Sequence, residues 1–168
     1  MLTEPRVVPN WDEYFVTMAD LVSKKSKDRS TQCGSVIVGE GHTVLSMGYN
    51  GFPRGVNDDV QDRHERPRKY LFTEHGERNA IYSAALNGVS LKGATIYLSG
   101  GGLPCADCGR AIIQAGIVAV VCRDRPFEGK GDWEVSMQAS QTMFDEAGVR
   151  VIRLNEQYRR VSLTGSLW

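Results

Sequence analysis

The stretch that decides the fold covers residues 94–122 and reads ATIYLSGGGLPCADCGRAIIQAGIVAVVC. Two short apolar runs, 94–99 and 117–122, flank a predicted helix at about 105–115. A strand, a helix and a second strand in this order are typical of a crossover between two parallel strands. The stretch therefore predicts an α/β fold.

Further elements are predicted on both sides of this stretch from the spacing of apolar residues. In chain order they are a helix at about 11–22 capped by Asn10, strands at 35–38 and 43–49, helices at about 75–87 and 133–147, and a strand at 149–154. The two early strands form a hairpin, which adds an antiparallel pair to a mostly parallel sheet covered by helices. Residues 50–72 are predicted as a long loop, and such loops are usually functional. The last dozen residues are predicted as a tail or a short docking segment.

Length and composition limit the class of protein. The 168 residues suit one domain, 1–168, and the 41% of apolar residues is ordinary for a globular protein. A formal net charge of zero argues against a nucleic-acid partner, because such domains usually carry a basic excess. The absence of a membrane-length apolar run and of a signal-peptide pattern predicts a cytoplasmic, reducing setting without a membrane partner. The four cysteines are then expected to be thiols or metal ligands.

Two helix starts carry residues that bind zinc. His75 and Glu77 open one predicted helix, and Pro104, Cys105 and Cys108 open the next one. Zinc prefers imidazole and thiolate ligands, and helix N-termini stabilise thiolates. The pattern H-x-E followed by P-C-x-x-C is typical of zinc deaminases. His75, Cys105 and Cys108 are therefore predicted to hold Zn²⁺, and Glu77 is predicted to move protons beside it.

Less specific interpretations of these residues remain open. The zinc could be structural, with His64 or Cys122 as a fourth ligand. The cysteines could also be small buried side chains without any metal. Cys122 and Cys33 are expected to pack as apolar residues, and His42 is expected to be a solvated residue at the hairpin tip.

With SKDRSTQCGSVIV (26–38) and GYNGFPRGVNDD (48–59), these motifs resemble the deoxycytidylate (dCMP) deaminases over about residues 11–154. The resemblance implies a three-layer α-β-α sandwich around a five-stranded mixed sheet. It implies zinc-dependent deamination of dCMP to dUMP and ammonia, which supplies thymidylate synthesis. Position by position, His75, Cys105 and Cys108 match the zinc ligands, Glu77 matches the proton shuttle, and Asn50 matches a deoxyribose contact.

Other residues are expected to bind the substrate. Gly51 adjoins Asn50, and the backbone N–H of Gly76 can bind the pyrimidine carbonyl. Arg29 and Ser30 follow a basic helix end and can grip a monophosphate, with Arg54 as a second candidate. The alternative for this basic cluster is a solvated helix end. Three aromatic residues could wall the base pocket, although each could equally cap a core: Phe52, Phe127 and Trp133.

Two positions depart from the family pattern. Gly76 stands where relatives usually have alanine, and Leu86 stands where they commonly have arginine. The resemblance implies assembly through the helix at 75–87, as a hexamer or alternatively a dimer or tetramer. It also implies regulation by dCTP or dTTP with Mg²⁺. Leu86 favours weakened regulation, whereas the intact 48–59 loop favours retained regulation.

Three alternative functions use the same motifs. A tRNA adenosine deaminase would share the zinc chemistry, but neutral charge and the 48–59 loop disfavour it. A deaminase of another cytosine nucleotide, such as dCTP or a modified dCMP, fits the residues as well. A zinc-stabilised nucleotide-binding protein without activity is the non-enzyme alternative, and Glu77 argues against it.

Overall fold

The computed structural model describes residues 8–124 and 131–155. Phe127 and the predicted C-terminal tail lie outside the described residues. Within the described part the helices are α1 (Trp11–Ser23), α2 (Lys69–Phe72), α3 (Gly76–Leu86), α4 (Ala106–Gln114) and α5 (Asp132–Ala147). The strands are β1 (Gly34–Val38), β2 (Val44–Tyr49), β3 (Thr95–Gly101), β4 (Ala119–Arg123) and β5 (Arg150–Leu154).

The five strands form one mixed sheet in the order β2-β1-β3-β4-β5. β3, β4 and β5 are parallel neighbours, as the strand–helix–strand pattern predicts. β1 is antiparallel to both β2 and β3, so the sheet has two parallel and two antiparallel pairs. The prediction of a five-stranded mixed sheet is confirmed. The expectation of a mostly parallel sheet is wrong, because the hairpin joins the parallel strands through an antiparallel contact.

Side chains that alternate along the strands build a core on each face of the sheet. Val36 and Val38 of β1 pack with Phe15 and Val16 of α1, while Ile37 between them packs against α3. Helices α4 and α5 pack together, and Ile112 and Phe144 from them enter the same core as Ile37. One helix therefore covers one face and three helices cover the other, which confirms the three-layer α-β-α sandwich.

The start of α1 and the hairpin tip follow local sequence rules. The Asn10 side chain accepts a hydrogen bond from Glu13 N, and the Glu13 side chain accepts one from Asn10 N, which makes a capping box. Gly41 and His42 turn the chain with φ of 64° and 62°. The His42 ring is exposed, as expected, but it also stacks on Trp11 with centroids 3.9 Å apart. The tip is therefore tied to the start of α1.

The segment 50–72 is more ordered than the predicted long loop. It contains a 3₁₀ turn at Gln61–His64 and the short helix α2. Gly51 and Glu74 exchange two backbone hydrogen bonds, of 3.0 and 2.8 Å, so the segment begins and ends beside α3. No helix in the described ranges has the length and apolar content needed to cross a membrane.

Candidate active site

The first turns of α3 and α4 bring three metal-binding side chains together. His75 and Cys105 are the residues that precede α3 and α4, and Cys108 lies in the first turn of α4. Neither His75 nor Cys105 caps its helix with a side-chain hydrogen bond, so both side chains can serve as ligands. The dipoles of the two helix starts favour anionic sulfur at this place.

The geometry of these three residues, called the metal group below, fits zinc. His75 Nδ1 lies 3.4 Å from Cys105 Sγ and 3.4 Å from Cys108 Sγ, and all three ligand atoms lie within 4.8 Å of one another. Typical Zn–N and Zn–S bonds in a tetrahedral site place N and S about 3.5 Å apart. Cys105 and Cys108 are 8% and 0% exposed, which shields the group from bulk water.

No fourth protein ligand joins the metal group among the described residues. His64 Nε2 lies 2.6 Å from Asp58 O, and its ring stacks on Phe52. Cys122 lies in the sheet core, as expected, and Cys33 is half-buried. A site with three protein ligands and no fourth one favours a catalytic zinc over a closed structural zinc.

Charge and burial shape the titration of the group. Hydrogen bonds from Cys108 and His75 outweigh burial and lower the pKa of the Cys105 thiol to about 4. The same neighbouring thiolate, together with burial, raises the pKa of Cys108. Burial raises the pKa of Glu77, although the charge on His75 opposes this. A carboxyl whose pKa moves toward neutrality is suited to both taking and giving a proton.

Gly76 lies where α3 meets two other segments. A Cβ placed on Gly76 would lie 3.2 Å from Cys33 O and 3.4 Å from Asn50 N. An alanine here would therefore press on the Cys33 carbonyl and touch the Asn50 backbone. The close approach gives a local reason for glycine at this position.

Two further side chains lie beside the metal group, and only one of them was predicted from the sequence. The Trp133 ring stacks on His75 with centroids 5.7 Å apart, so this predicted aromatic residue lies next to a ligand. Arg78 was missed: its guanidinium contacts Glu74 and lies 3.9 Å from Asp107, which connects α3 to α4. The pair with Glu74, four residues earlier, is a local signal that the sequence offered, whereas the contact with Asp107 on another helix could not be found in it.

Asn50 organises residues 26–33, called the 26–33 segment below. Asn50 Oδ1 accepts a hydrogen bond of 2.8 Å from Cys33 N, and Asn50 Nδ2 donates one of 2.8 Å to Thr31 O. Its carbonyl accepts a hydrogen bond from Ser26 Oγ, also within the segment. The predicted deoxyribose contact is thus a buried residue that shapes the 26–33 segment beside Gly76.

The predicted phosphate residues lie in the same segment. The Ser30 hydroxyl donates to Asp28 Oδ1 and accepts from Lys69 Nζ, so both of its roles are occupied. Arg29 is exposed, and its Nη2 donates to the neutral side chain of Gln61. Arg29 therefore keeps most of its donors for another partner. Arg54 lies in the wall of a cavity that Asp28 and Lys69 also line.

Lys69 and Asp28 form a pair that the sequence analysis missed. Lys69 Nζ lies 2.8 Å from Asp28 Oδ2, and both side chains are about nine-tenths buried. Burial disfavours the Asp28 carboxylate, but its hydrogen bonds with Lys69, Ser30 and Thr31 outweigh this and lower its pKa to about 2. The two residues are 41 positions apart, so no local pattern could have connected them.

A cavity of about 190 Å³ lies against the 26–33 and 50–72 segments. Phe52 and Gly51 line it, so Phe52 borders this cavity, whereas Trp133 borders the metal group. Its charged and titratable lining residues are Lys25, Lys27, Asp28, Arg54, Asp58, His64 and Lys69. The lining mixes polar and apolar residues, and its charged side chains are four cations and two carboxylates, an excess of positive charge that suits an anionic ligand.

Comparison with known families and proteins agrees with this geometry. Residues 9–123 match the model of the cytidine and deoxycytidylate deaminase zinc-binding region. An uncharacterized deaminase in the luxG 3′ region of Aliivibrio fischeri is 41% identical over 145 residues, which cover 86% of this chain and 94% of that protein. The deoxycytidylate deaminase of Homo sapiens is 33% identical over 144 residues, covering 83% of this chain and 76% of that protein.

A solved structure shares the fold. The dCMP deaminase of the cyanophage S-TIM5, in complex with dCMP and dUMP, superposes with a TM-score of 0.68 at 25% identity. The match covers 89% of this chain and 100% of the phage chain.

Proposed function

This chain belongs to the cytidine and deoxycytidylate deaminase zinc-binding family, and from this premise we propose that it deaminates dCMP to dUMP and ammonia. The observation that carries the proposal is the metal group with three donors and Glu77 beside it. The deoxycytidylate deaminases among its relatives and the phage enzyme solved with dCMP and dUMP support the choice of substrate.

The residues of the site divide the chemistry between them. His75, Cys105 and Cys108 would hold Zn²⁺, which when bound lowers the pKa of a water toward neutrality and so supplies the nucleophile. Glu77 takes a proton from the attacking water and delivers it to ring N3, which makes C4 electrophilic. After the hydroxide has added to C4, Glu77 takes the second proton from the new C4 hydroxyl and passes it to the exocyclic amine. The C4–N bond then breaks, ammonia leaves, and the oxygen stays on C4 as the carbonyl of dUMP. One carboxylate can do both steps, and burial raises the pKa of Glu77, which favours its return of the proton.

The substrate would be held from two sides. The Gly76 backbone N–H at the start of α3 is proposed to bind the pyrimidine carbonyl, and Asn50 with Gly51 is proposed to lie against the deoxyribose. Arg29 is the proposed phosphate contact, since its guanidinium is exposed and, among the described residues, hydrogen-bonds to the neutral amide of Gln61. Ser30 is proposed to act with it indirectly, by holding the turn, because its hydroxyl already donates to Asp28 and accepts from Lys69. Arg54 is the alternative from the cavity wall.

The decisive experiment is an ammonia-release assay of the zinc-loaded protein with parallel substrates. They are dCMP, dCDP, dCTP, CMP and deoxycytidine, with a tRNA anticodon stem-loop as a further arm. We expect the highest kcat/KM for dCMP. Preference for dCTP or for the RNA would replace dCMP with that substrate, and no release from any of them would favour the nucleotide-binding alternative.

We also propose a homo-oligomer that assembles through α3, with a hexamer favoured over a dimer or tetramer. Leu86 and Tyr82 on α3 are 70% and 47% exposed, and Met47 on the adjoining β2 is 57% exposed. An apolar surface of this kind is typical of an interface. Light scattering at micromolar concentration tests this, and a monomer would contradict it.

Regulation by dCTP or dTTP with Mg²⁺ is proposed to be weakened. The mainly basic cavity beside the 48–59 loop supports binding of an anionic effector. Coupling, however, needs an element that both sites bias between two states. An apolar contact made by Leu86 would keep the subunit interface in one arrangement whether or not the effector is bound. We therefore expect a nearly hyperbolic dCMP saturation curve, and a sigmoidal curve that dCTP with Mg²⁺ straightens would show intact coupling.

The chain is proposed to act as one deaminase domain, 1–168, in the reducing cytoplasm. The single sheet that runs from β1 to β5 supports the first point. The four cysteines, all in the described part and all unpaired, support the second one.

A further inference from the structure

Lys69 is buried without an obvious structural need for a charge. Among the described residues it is the only buried lysine or arginine, with 7% of its surface exposed. It begins α2, a helix of only four residues at the end of the 50–72 segment. Burying an ammonium is costly unless it is paired and hydrogen-bonded. An apolar pair in place of both Lys69 and Asp28 could hold the two segments together equally well, so the buried charged pair calls for another explanation.

The Lys69 ammonium hydrogen-bonds to two residues of the turn at residues 28–31. It donates to Asp28 Oδ2 at 2.8 Å and to Ser30 Oγ at 2.7 Å. Asp28 Oδ1 in turn accepts from Ser30 N, Ser30 Oγ and Thr31 N at 2.8, 2.8 and 3.1 Å. The Asp28 carboxylate therefore holds the residues of the turn together, and the Lys69 ammonium offsets the charge of this buried carboxylate. Without Lys69 this arrangement would leave an uncompensated charge.

Arg29 lies between the two residues that Lys69 holds. Its neighbours Asp28 and Ser30 are fixed, while its own side chain stays exposed and loosely held by Gln61. The other end of the turn continues through Thr31 and Cys33 to Asn50, which adjoins Gly76. The position of Arg29 relative to the start of α3 therefore depends on the shape of this turn.

We propose that Lys69 is a positioning residue for recognition of the substrate phosphate: through Asp28 and Ser30 it fixes the turn that presents Arg29. This inference rests on the proposed function, since it assumes a nucleoside monophosphate as substrate. Lys69 also lines the cavity, but two of its three donors are taken by Asp28 and Ser30, so we assign it a role through the turn and not a direct contact with the phosphate.

The test compares a ligand with the phosphate and one without it. Lys69→Met in the zinc-loaded protein should raise the KM for dCMP about tenfold, in proportion to the loss of one charge-assisted contact. The inhibition constant of deoxycytidine, the kcat for dCMP and the zinc content should stay near parental values. A purely structural role would leave KM unchanged or shift both ligands equally, and either result would overturn the proposal.

Asp28→Asn separates positioning from direct phosphate contact. It leaves the ammonium in place but weakens its hold on the turn, so positioning predicts a raised KM for dCMP. If Lys69 contacted the phosphate directly, removal of the competing carboxylate would lower the KM or leave it unchanged, which would contradict the proposal. Should Lys69→Met not fold, the KM of Asp28→Asn decides between the same outcomes.

Arg68→Met is the matched control. It removes the same charge from the neighbouring residue, whose exposed ion pair with Asp62 lies on the surface. Its KM for dCMP should stay within about twofold of the parent, since exposed pairs contribute little. A parent that does not deaminate dCMP would refute the proposed function, and the inference would fall with it. An active parent with unchanged KM in Lys69→Met and Asp28→Asn would refute the inference alone.

Discussion

The metal group and the 26–33 segment meet at Gly76, yet they are held in place in different ways. His75, Cys105 and Cys108 stand at the starts of helices that leave the same sheet. The 26–33 segment has no regular secondary structure and depends on buried side chains of Asn50 and Lys69. The proposed chemistry therefore lies at helix starts, whereas the proposed substrate contacts depend on a polar network that a single substitution can alter.

This contrast predicts which variants lose the reaction and which change only its specificity. Substitutions in the metal group should act on zinc or on turnover. Substitutions in the 26–33 segment should act on KM and on the pH dependence of stability.

The largest effect is expected from Cys108→Ser. The parent should hold about one zinc per chain, and loss of one of three ligands should remove most of the metal and much of the stability that it supplies. Cys122→Ser is the control, because Cys122 lies in the sheet core. It should lower stability but keep the zinc. Elemental analysis measures both, and undiminished zinc in Cys108→Ser would remove Cys108 from the site.

Glu77→Gln should lower turnover of dCMP by several orders of magnitude and leave zinc and fold intact. A general acid–base step is typically worth about 10²–10⁴ in rate, and Glu77 is proposed to perform more than one. Glu74→Gln is the control, because it removes a carboxylate only three residues before Glu77, on a side chain that contacts Arg78. The loss of turnover in Glu74→Gln should be far smaller. Turnover of Glu77→Gln within tenfold of the parent would contradict the proposed role.

Asp28 should make stability depend on pH in the acid range. Its folded pKa of about 2 lies below the unfolded value near 3.8, so its contribution is present above about pH 4 and is lost as pH falls toward 2. A shift of this size corresponds to about 2 kcal/mol. Urea unfolding between pH 5 and pH 3 should show a steeper loss for the parent than for Asp28→Asn. Equal slopes would contradict the depressed pKa.

Most of the fold and the metal group could be predicted because their signals are local. The capping box at Asn10, the alternation of strands and helices, and the C-x-x-C spacing each lie within a few residues of the chain. The antiparallel contact between β1 and β3 could not be predicted, since it joins strands about 60 residues apart. The same holds for the pair of Lys69 and Asp28, which lie 41 positions apart. Polar residues of this kind look solvated in a sequence and are buried only by the fold.

The smallest predicted effect concerns Gly76, where the metal group and the 26–33 segment touch. Gly76→Ala would place a Cβ 3.2 Å from Cys33 O and 3.4 Å from Asn50 N, so both backbones must move by a few tenths of an ångström. Alanine favours the helix, which offsets part of this strain and should keep the stability within about 1 kcal/mol of the parent. Displacement of the 26–33 segment should lower kcat/KM for dCMP about threefold to tenfold, since even small misplacements of substrate groups slow catalysis.

Gly148→Ala is the control for the substitution itself, because Gly148 ends α5 with φ of 71° and open space around its Cβ position. It should lower stability through backbone strain and leave kcat/KM unchanged. Steady-state rates with dCMP, measured beside urea unfolding for both variants, check the pair. If Gly76→Ala matched or exceeded the parental kcat/KM, the contact at Gly76 would not couple the 26–33 segment to catalysis, and the two regions would act independently.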